Sequence, residues 1–319
     1  MLPRRTMLAS ALTPMLAVAA RAQAWPARPI KIIVPFPPGQ STDILARVMA
    51  DQYTKVLGQQ VVVENRPGAG GAIGADAAAK SPPDGYTLLM VTISTHGIAP
   101  GLYPKLPYDP LKDFAPIINV GLTPQVVTAS LKSGINSLQD LIAKAKAGDL
   151  NYGSSGNGSA SHLTVEQLRS AAGLKLTHIP FKGNADAMLA LQSGDIQIMS
   201  DAIPGAIGPV KAGKAKAIGI ADTKRSPYLP DLPTFAEQGL KVVAVGWIGL
   251  AAPARTPDAI LDRLNAEAER ILKEPGVTEK LTGLAFVTAG GSRQEFAAYI
   301  AEEIAKWRGV IQTAGVKID

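Results

Sequence analysis

The chain has 319 residues, with 32 lysines and arginines against 26 aspartates and glutamates, a formal charge of +6 and no cysteine. The basic residues are scattered, without the basic stripe and flanking aromatics of a nucleic-acid reader. The lack of cysteine excludes a disulfide framework and a lipid anchor on a cysteine, so the protein must be held together by its core.

In chain order, Arg4 and Arg5 form a basic start, Thr6 to Ala20 is apolar, and Ala22-Gln23-Ala24 has the small-x-small form of a signal-peptidase site. This pattern predicts an export signal over residues 1–24 and Trp25 as the first mature residue. Pro14 interrupts the apolar run, which is shorter than the ~20 residues of a membrane span. Arg4-Arg5-Thr6-Met7-Leu8 also resembles a twin-arginine signal. Loss of Arg4, Arg5 and Arg21 leaves a mature chain of charge +3, long enough for two lobes with their own cores.

Strands are expected at Ile30–Val34, Val61–Val63 and Thr87–Val91, with helices at Thr42–Leu57 and Ala72–Lys80 between them. The middle repeats this logic. Strands at Val126–Ser130, Asn151-Tyr152, Leu176–Ile179, Ile196–Met199 and Ala217–Ile220 alternate with helices from Ser137 to about Ala147, from about Ser161, at Ala185–Gln192 and at Ile203–Val210. Ser137 and Asp140 have capping-box spacing. After a strand at Val242–Leu250 come three helices, at Pro257–Lys273, Val277–Leu284 and Ser292–Ala314. The alternation predicts an α/β fold with a largely parallel sheet. Chain crossings near 118–125 and 240–246 would divide it into lobe I (25–122 and 244–319) and lobe II (123–243). Spacing alone also permits a single doubly wound domain.

Two strand-to-helix loops are candidate ligand sites. In Pro35 to Asp43, prolines stiffen the approach, Gly39 lets the backbone turn, and Ser41 or Thr42 is expected to cap the helix that follows. In Tyr152 to His162, glycines permit close approach and serines offer hydroxyls. Unpaired N–H groups and the dipole at a helix start suit a carboxylate. An ordinary capped helix and a surface turn are the competing explanations.

Enzyme signatures are weak. Gly153-Ser154-Ser155-Gly156-Asn157 lacks the last glycine of a nucleophile elbow. Ile73 stands where a dinucleotide fingerprint needs its third glycine. His96, His162 and His178 lack metal-ligand spacing. No cofactor is expected. A serine hydrolase using Ser155 or Ser159 with His162 or His178 stays open as a rival.

Several stretches together carry a family resemblance: Val34-Pro35-Phe36-Pro37-Pro38-Gly39 with Thr42-Asp43 and Arg47, Val63-Glu64-Asn65-Arg66-Pro67-Gly68, Pro83-Asp84-Gly85-Tyr86, Pro180-Phe181-Lys182-Gly183 and Gly194-Asp195-Ile196. The chain resembles the solute-binding receptors of tripartite tricarboxylate transporters, the Bug family, from about Trp25 to its end. The resemblance implies a two-lobed periplasmic-binding-protein fold of the Venus-flytrap type with a hinge of two crossover segments. It implies that Pro38, Gly39, Gln40, Ser41, Thr42 and Asp43 grip a ligand carboxylate together with Ser155, Gly156, Gly158, Ser159 and Ser161. Asp201 falls near the distal part of the ligand, or caps the following helix. Thr92, Ser94 and Lys182 are further lining candidates. Gln40, Ser200 and Ala202 depart from the usual pattern and leave the ligand open among di- or tricarboxylates, amino acids and aromatic acids. The expected partners are membrane permease subunits, or a membrane kinase if the chain is a sensor subunit. The expected form is a monomer in the periplasm.

Overall fold

The computed structural model describes residues 25–316. The expected export signal lies outside the described residues.

The first lobe starts with β1 (Ile30–Val34), α1 (Ser41–Leu57), β2 (Val61–Asn65), α2 (Ala72–Ala79) and β3 (Thr87–Thr92). A π turn at Ile93–Ile98 leads into the short α3 (Ala99–Leu102), and then comes the long β4 (Phe114–Ala129). The second lobe follows with α4 (Leu138–Ala147), β5 (Leu150–Ser154), α5 (Ala160–Ala172), β6 (Leu176–Pro180), α6 (Asn184–Ser193), β7 (Ile198–Ala202), α7 (Ile203–Lys211) and β8 (Lys216–Ala221). The chain returns through β9 (Val245–Pro253), α8 (Asp258–Lys273), α9 (Pro275–Gly283), β10 (Val287–Gly290) and α10 (Arg293–Ala314).

β4 joins the two lobes. Through Pro124 it pairs with β9, and from Gln125 onward it pairs with β7 and β8. The two prolines of β4, Pro116 and Pro124, have no N–H to give a ladder. Pro116 sits beside a register shift, and Pro124 sits where the strand changes partners. The return segment does the same: Ala244 N donates to Ala221 O at 2.8 Å, while Val245 pairs with Pro124.

The sheet is mixed rather than largely parallel. β1 is parallel to β2 and β3, and β5 is parallel to β6 and β7. The strands that link the lobes run against them: β9 is antiparallel to β3 and β4, and β4 is antiparallel to β7, β8 and β10. The parallel strands read as apolar runs because helices cover both faces. Ile32, Ile33, Leu88 and Leu89 are fully buried on either side of them.

At α4 the capping box is half formed. Ser137 Oγ accepts from Asp140 N at 3.1 Å, but the Asp140 carboxylate reaches past the cap to Asn136 N at 2.9 Å.

Candidate functional site

The loop before α1 is built to leave a helix start open. Gly39 has φ +83°, a left-handed turn that favours glycine. Its N–H donates to Asp43 Oδ2 at 2.9 Å, so the aspartate folds back onto the loop instead of capping the helix. Arg47 binds both oxygens of the same carboxylate at 3.0 Å, and Asn65 Nδ2 donates to Oδ1 at 2.9 Å. Burial raises the Asp43 pKa, but the bonds from Arg47, Gly39 and Asn65 outweigh it and hold the carboxyl below its usual range. Gln40 precedes α1 in extended conformation, and its side chain makes no capping bond. The first-turn N–H groups of Ser41 and Thr42 therefore stand without a side-chain cap at the positive end of a 17-residue helix.

The second loop belongs to lobe II. Ser159 caps α5 by accepting from His162 N at 3.2 Å. Ser161 Oγ gathers the loop, touching Ser155 N at 3.0 Å, Ser155 Oγ at 3.1 Å and Ser159 Oγ at 3.0 Å. Lobe I reaches across at two points. Ala160 N, the first N–H of α5, donates to Ser94 Oγ at 3.0 Å, and Tyr103 Oη donates to Asn157 O at 3.0 Å.

Between these helix starts lies a cavity of about 410 Å³. Gly39, Gln40, Ser41, Thr42, Thr92 and Ser94 line it from lobe I, and Ser155, Ser161 and Asp201 line it from lobe II. Of the other expected contacts, Pro38, Asp43, Gly156, Gly158, Ser159 and Lys182 lie off its wall. Asp43 is occupied by the loop, Ser159 by its cap, and the Gly158 N–H by His162 Nδ1 at 3.2 Å. Lys182 is exposed, and the wall is formed by the next residues, Asn184 and Ala185. Phe36, Thr123, Gln125, Met188, Gly246 and Trp247 complete much of the lining without having been singled out from sequence. Trp247 is fully buried, and its indole Nε1 donates to Glu303 Oε2 at 3.1 Å.

Asp201 is the single charged lining residue; among the described residues the wall has no lysine, arginine or histidine. Its Oδ1 accepts from Ala202 N at 2.7 Å and from Asn184 Nδ2. Full burial pushes its pKa up to about 7, against these two bonds. The helix that follows, α7, takes no side-chain cap from it. A ligand anion in this cavity would therefore be met by backbone N–H groups and hydroxyls, not by a cation.

This cleft, with one helix start from each lobe, accompanies a match to the family model for the tripartite tricarboxylate transporter family receptor over residues 45–316. The chain belongs to that family. It is 37% identical to protein BugT of Bordetella pertussis over 301 residues, covering 93% of this chain and 92% of BugT. Among solved structures, R. palustris Rpa4515 with adipate superposes with a TM-score of 0.89 at 34% identity, covering 92% of this chain and 99% of that one. MatC of Rhodopseudomonas palustris with bound malate gives 0.86 at 35% identity, with 90% and 100% covered. The fold is that of a two-lobed periplasmic binding protein.

In this receptor neither Ser155 nor Ser159 is paired with an imidazole among the described residues. Ser155 and Ser159 bond Ser161 and the loop backbone, and Ser159 meets His162 only at its backbone N–H, not at its ring. The serine–histidine pair that does form is Ser154 Oγ with His178 Nε2 at 2.6 Å, and Ser154 is fully buried. His178 and His162 stack at 4.0 Å between centroids, with the Tyr152 ring 4.8 Å from His178 and 6.2 Å from His162.

The histidines give the receptor an acid-sensitive stability. Burial holds His96 at about 3 and His162 at about 4; burial and the neighbouring His162 hold His178 at about 3. In the unfolded chain each takes a proton near pH 6.5. The native state binds fewer protons, so these groups stabilise fully above pH 6.5 and lose that contribution as pH falls toward 4. Asp201 acts in reverse: its raised pKa favours the native state below about pH 4, and that contribution is lost as pH rises to 7. Three groups oppose one, so Tm is expected to fall between pH 7 and pH 5. Melts in matched buffers check this, and a Tm that rises on acidification would contradict it. Replacing His162 and His178 together by asparagine is expected to flatten the slope.

Proposed function

We propose that the chain is an exported periplasmic receptor whose lobes close on a small carboxylate and deliver it to a membrane permease. One observation carries this reading: the uncapped start of α1 opens into the interlobe cavity, whose lining among the described residues holds no lysine, arginine or histidine. A carboxylate suits such an end, because several N–H groups and the helix dipole stabilise it at once. The serine cluster before α5 serves the other side of the anion, directly or through one water. The relatives with bound adipate and malate support an acid as ligand. The residues assigned to the grip are Gly39, Ser41, Thr42, Ser94, Ser155 and Ser161, with Gln40, Thr92 and Asp201 along the ligand body.

The lobes, on this reading, are residues 25–122 with 244–319 and residues 123–243. The hinge is the partner change in β4 and the return before β9. Binding shifts the open–closed population because only the closed form contacts the ligand from both sides.

A thermal-shift panel of mono-, di- and tricarboxylates, amino acids and aromatic acids tests the proposal. An acid at about 100 times its Kd adds about 2.7 kcal/mol of stability. No shift with any acid would contradict the receptor reading.

A further inference from the structure

The residue before α1 carries a side chain that helix capping does not explain. Gln40 makes no capping bond. Its side chain crosses the cleft to lobe II and lies on Gly183, the residue before α6. Gly183 is buried, and its φ of 178° is extended backbone that any residue adopts. Space, not backbone conformation, is what a side chain there would contest, and the end of Gln40 would have to move to admit one. A Cβ on Gly183 would collide with Gln40 Nε2 and lie 3.2 Å from Pro37 Cγ.

Gln40 Nε2 is buried and has no hydrogen-bond partner. An unpaired buried amide is unfavourable, so packing rather than hydrogen bonding holds this side chain over Gly183. The same side chain lines the cavity, and so do Asn184, Ala185 and Met188 from α6. The Gln40–Gly183 contact thus borders the cavity where lobe I meets the head of α6.

We propose that Gln40 is a specificity-determining end wall, docking on Gly183 to stop the ligand body at the head of α6. This rests on the receptor reading above. Cutting the side chain back to glycine removes two methylenes and a carboxamide, a length of about three methylenes. The fold should tolerate the change, since no cap bond is lost and glycine is accepted before a helix.

The test uses two ligand series, the linear diacids from malonate to sebacate and the ω-phenyl acids from benzoate upward. Binding is read by calorimetry on the mature protein. The native protein is expected to show a length cut-off in one series. Gln40→Gly is expected to extend that cut-off by about three methylenes. Gly183→Ala evicts the amide, so it should alter the native profile yet add nothing in the Gln40→Gly background, the non-additivity expected of residues in contact. A native protein that binds no acid in either series and none of the thermal-shift panel would sink the receptor reading; one that binds panel acids but shows no length cut-off in either series would overturn the end wall. A cut-off that Gln40→Gly leaves unchanged, or additive effects of the two substitutions, would overturn the end wall alone.

Discussion

Replacing Ser41 with proline is expected to weaken carboxylate binding on the order of ten- to a hundredfold while leaving the melting temperature nearly unchanged. Ser41 is the first residue of α1, and its N–H is one of those left without a side-chain cap at the cavity. Proline is tolerated at this helical position, because the missing N–H has no partner within the helix. The preceding residue fits too: Gln40 sits at φ −77°, ψ 163°, the extended region that precedes proline without strain. The substitution therefore deletes one donor and little else of the fold. A hydrogen bond to a charged group contributes about 1.5–3 kcal/mol, which sets the fold-change. Ser41→Ala is the control, since it removes the hydroxyl and keeps the N–H. Calorimetry with the best acid of the panel checks both variants. Equal affinity in Ser41→Pro and the native protein would show that the α1 N–H groups do not hold the anion.

Glu303→Ala is expected to cost several kcal/mol of stability and to loosen the cavity floor. Glu303 is 5% exposed, yet it is held by three donors. Oε2 accepts from Trp247 Nε1 at 3.1 Å and Trp307 Nε1 at 3.0 Å, and Oε1 accepts from Lys306 Nζ at 2.8 Å. Both indoles are fully buried. Alanine leaves two buried N–H groups without an acceptor, at about 1–3 kcal/mol each. Glutamine keeps one oxygen for the indoles and is expected to cost much less. Because Trp247 lines the cavity and Trp307 lies on α10, the carboxylate ties the floor of the site to the last helix. Urea melts followed by tryptophan fluorescence give the comparison. An alanine variant as stable as the glutamine variant would contradict this account of the indole pair.

The first lobe's outer elements were readable from residue periodicity. β1, β3, α1 and α10 fall within a residue or two of their sequence-based bounds, because each is a plain apolar run or amphipathic stretch with a clear end. β4 was not readable at its true length. Only Val126 to Ser130 read as strand, since Pro116 and Pro124 argue against one and Phe114 to Thr123 lacks alternation. The proline positions are tolerated because each falls where the ladder shifts or changes partner. The π turn at Ile93–Ile98 and the four-residue β10 had no sequence signal of their own.

The site divided along similar lines. Loop chemistry pointed to Gly39, Ser41, Thr42, Ser155 and Ser161, which the fold brings to one cavity. Thr123, Gln125, Gly246 and Trp247 were missed because they belong to the strands that cross between the lobes. Their approach to the cavity depends on the pairing of β4 with β9, which is 125 residues away in the chain at Leu122↔Trp247 and closer only in space. Asp43 shows the opposite case. The family resemblance put it among the ligand contacts, and its carboxylate is instead engaged in shaping the loop.

The most direct test is a crystal structure of the mature protein with the acid that gives the largest thermal shift. The account predicts a carboxylate within about 3.5 Å of the Ser41 or Thr42 N–H, or one water away, with the Ser155–Ser161 loop on its other side. A carboxylate turned away from α1, or lying outside the cavity, would contradict it.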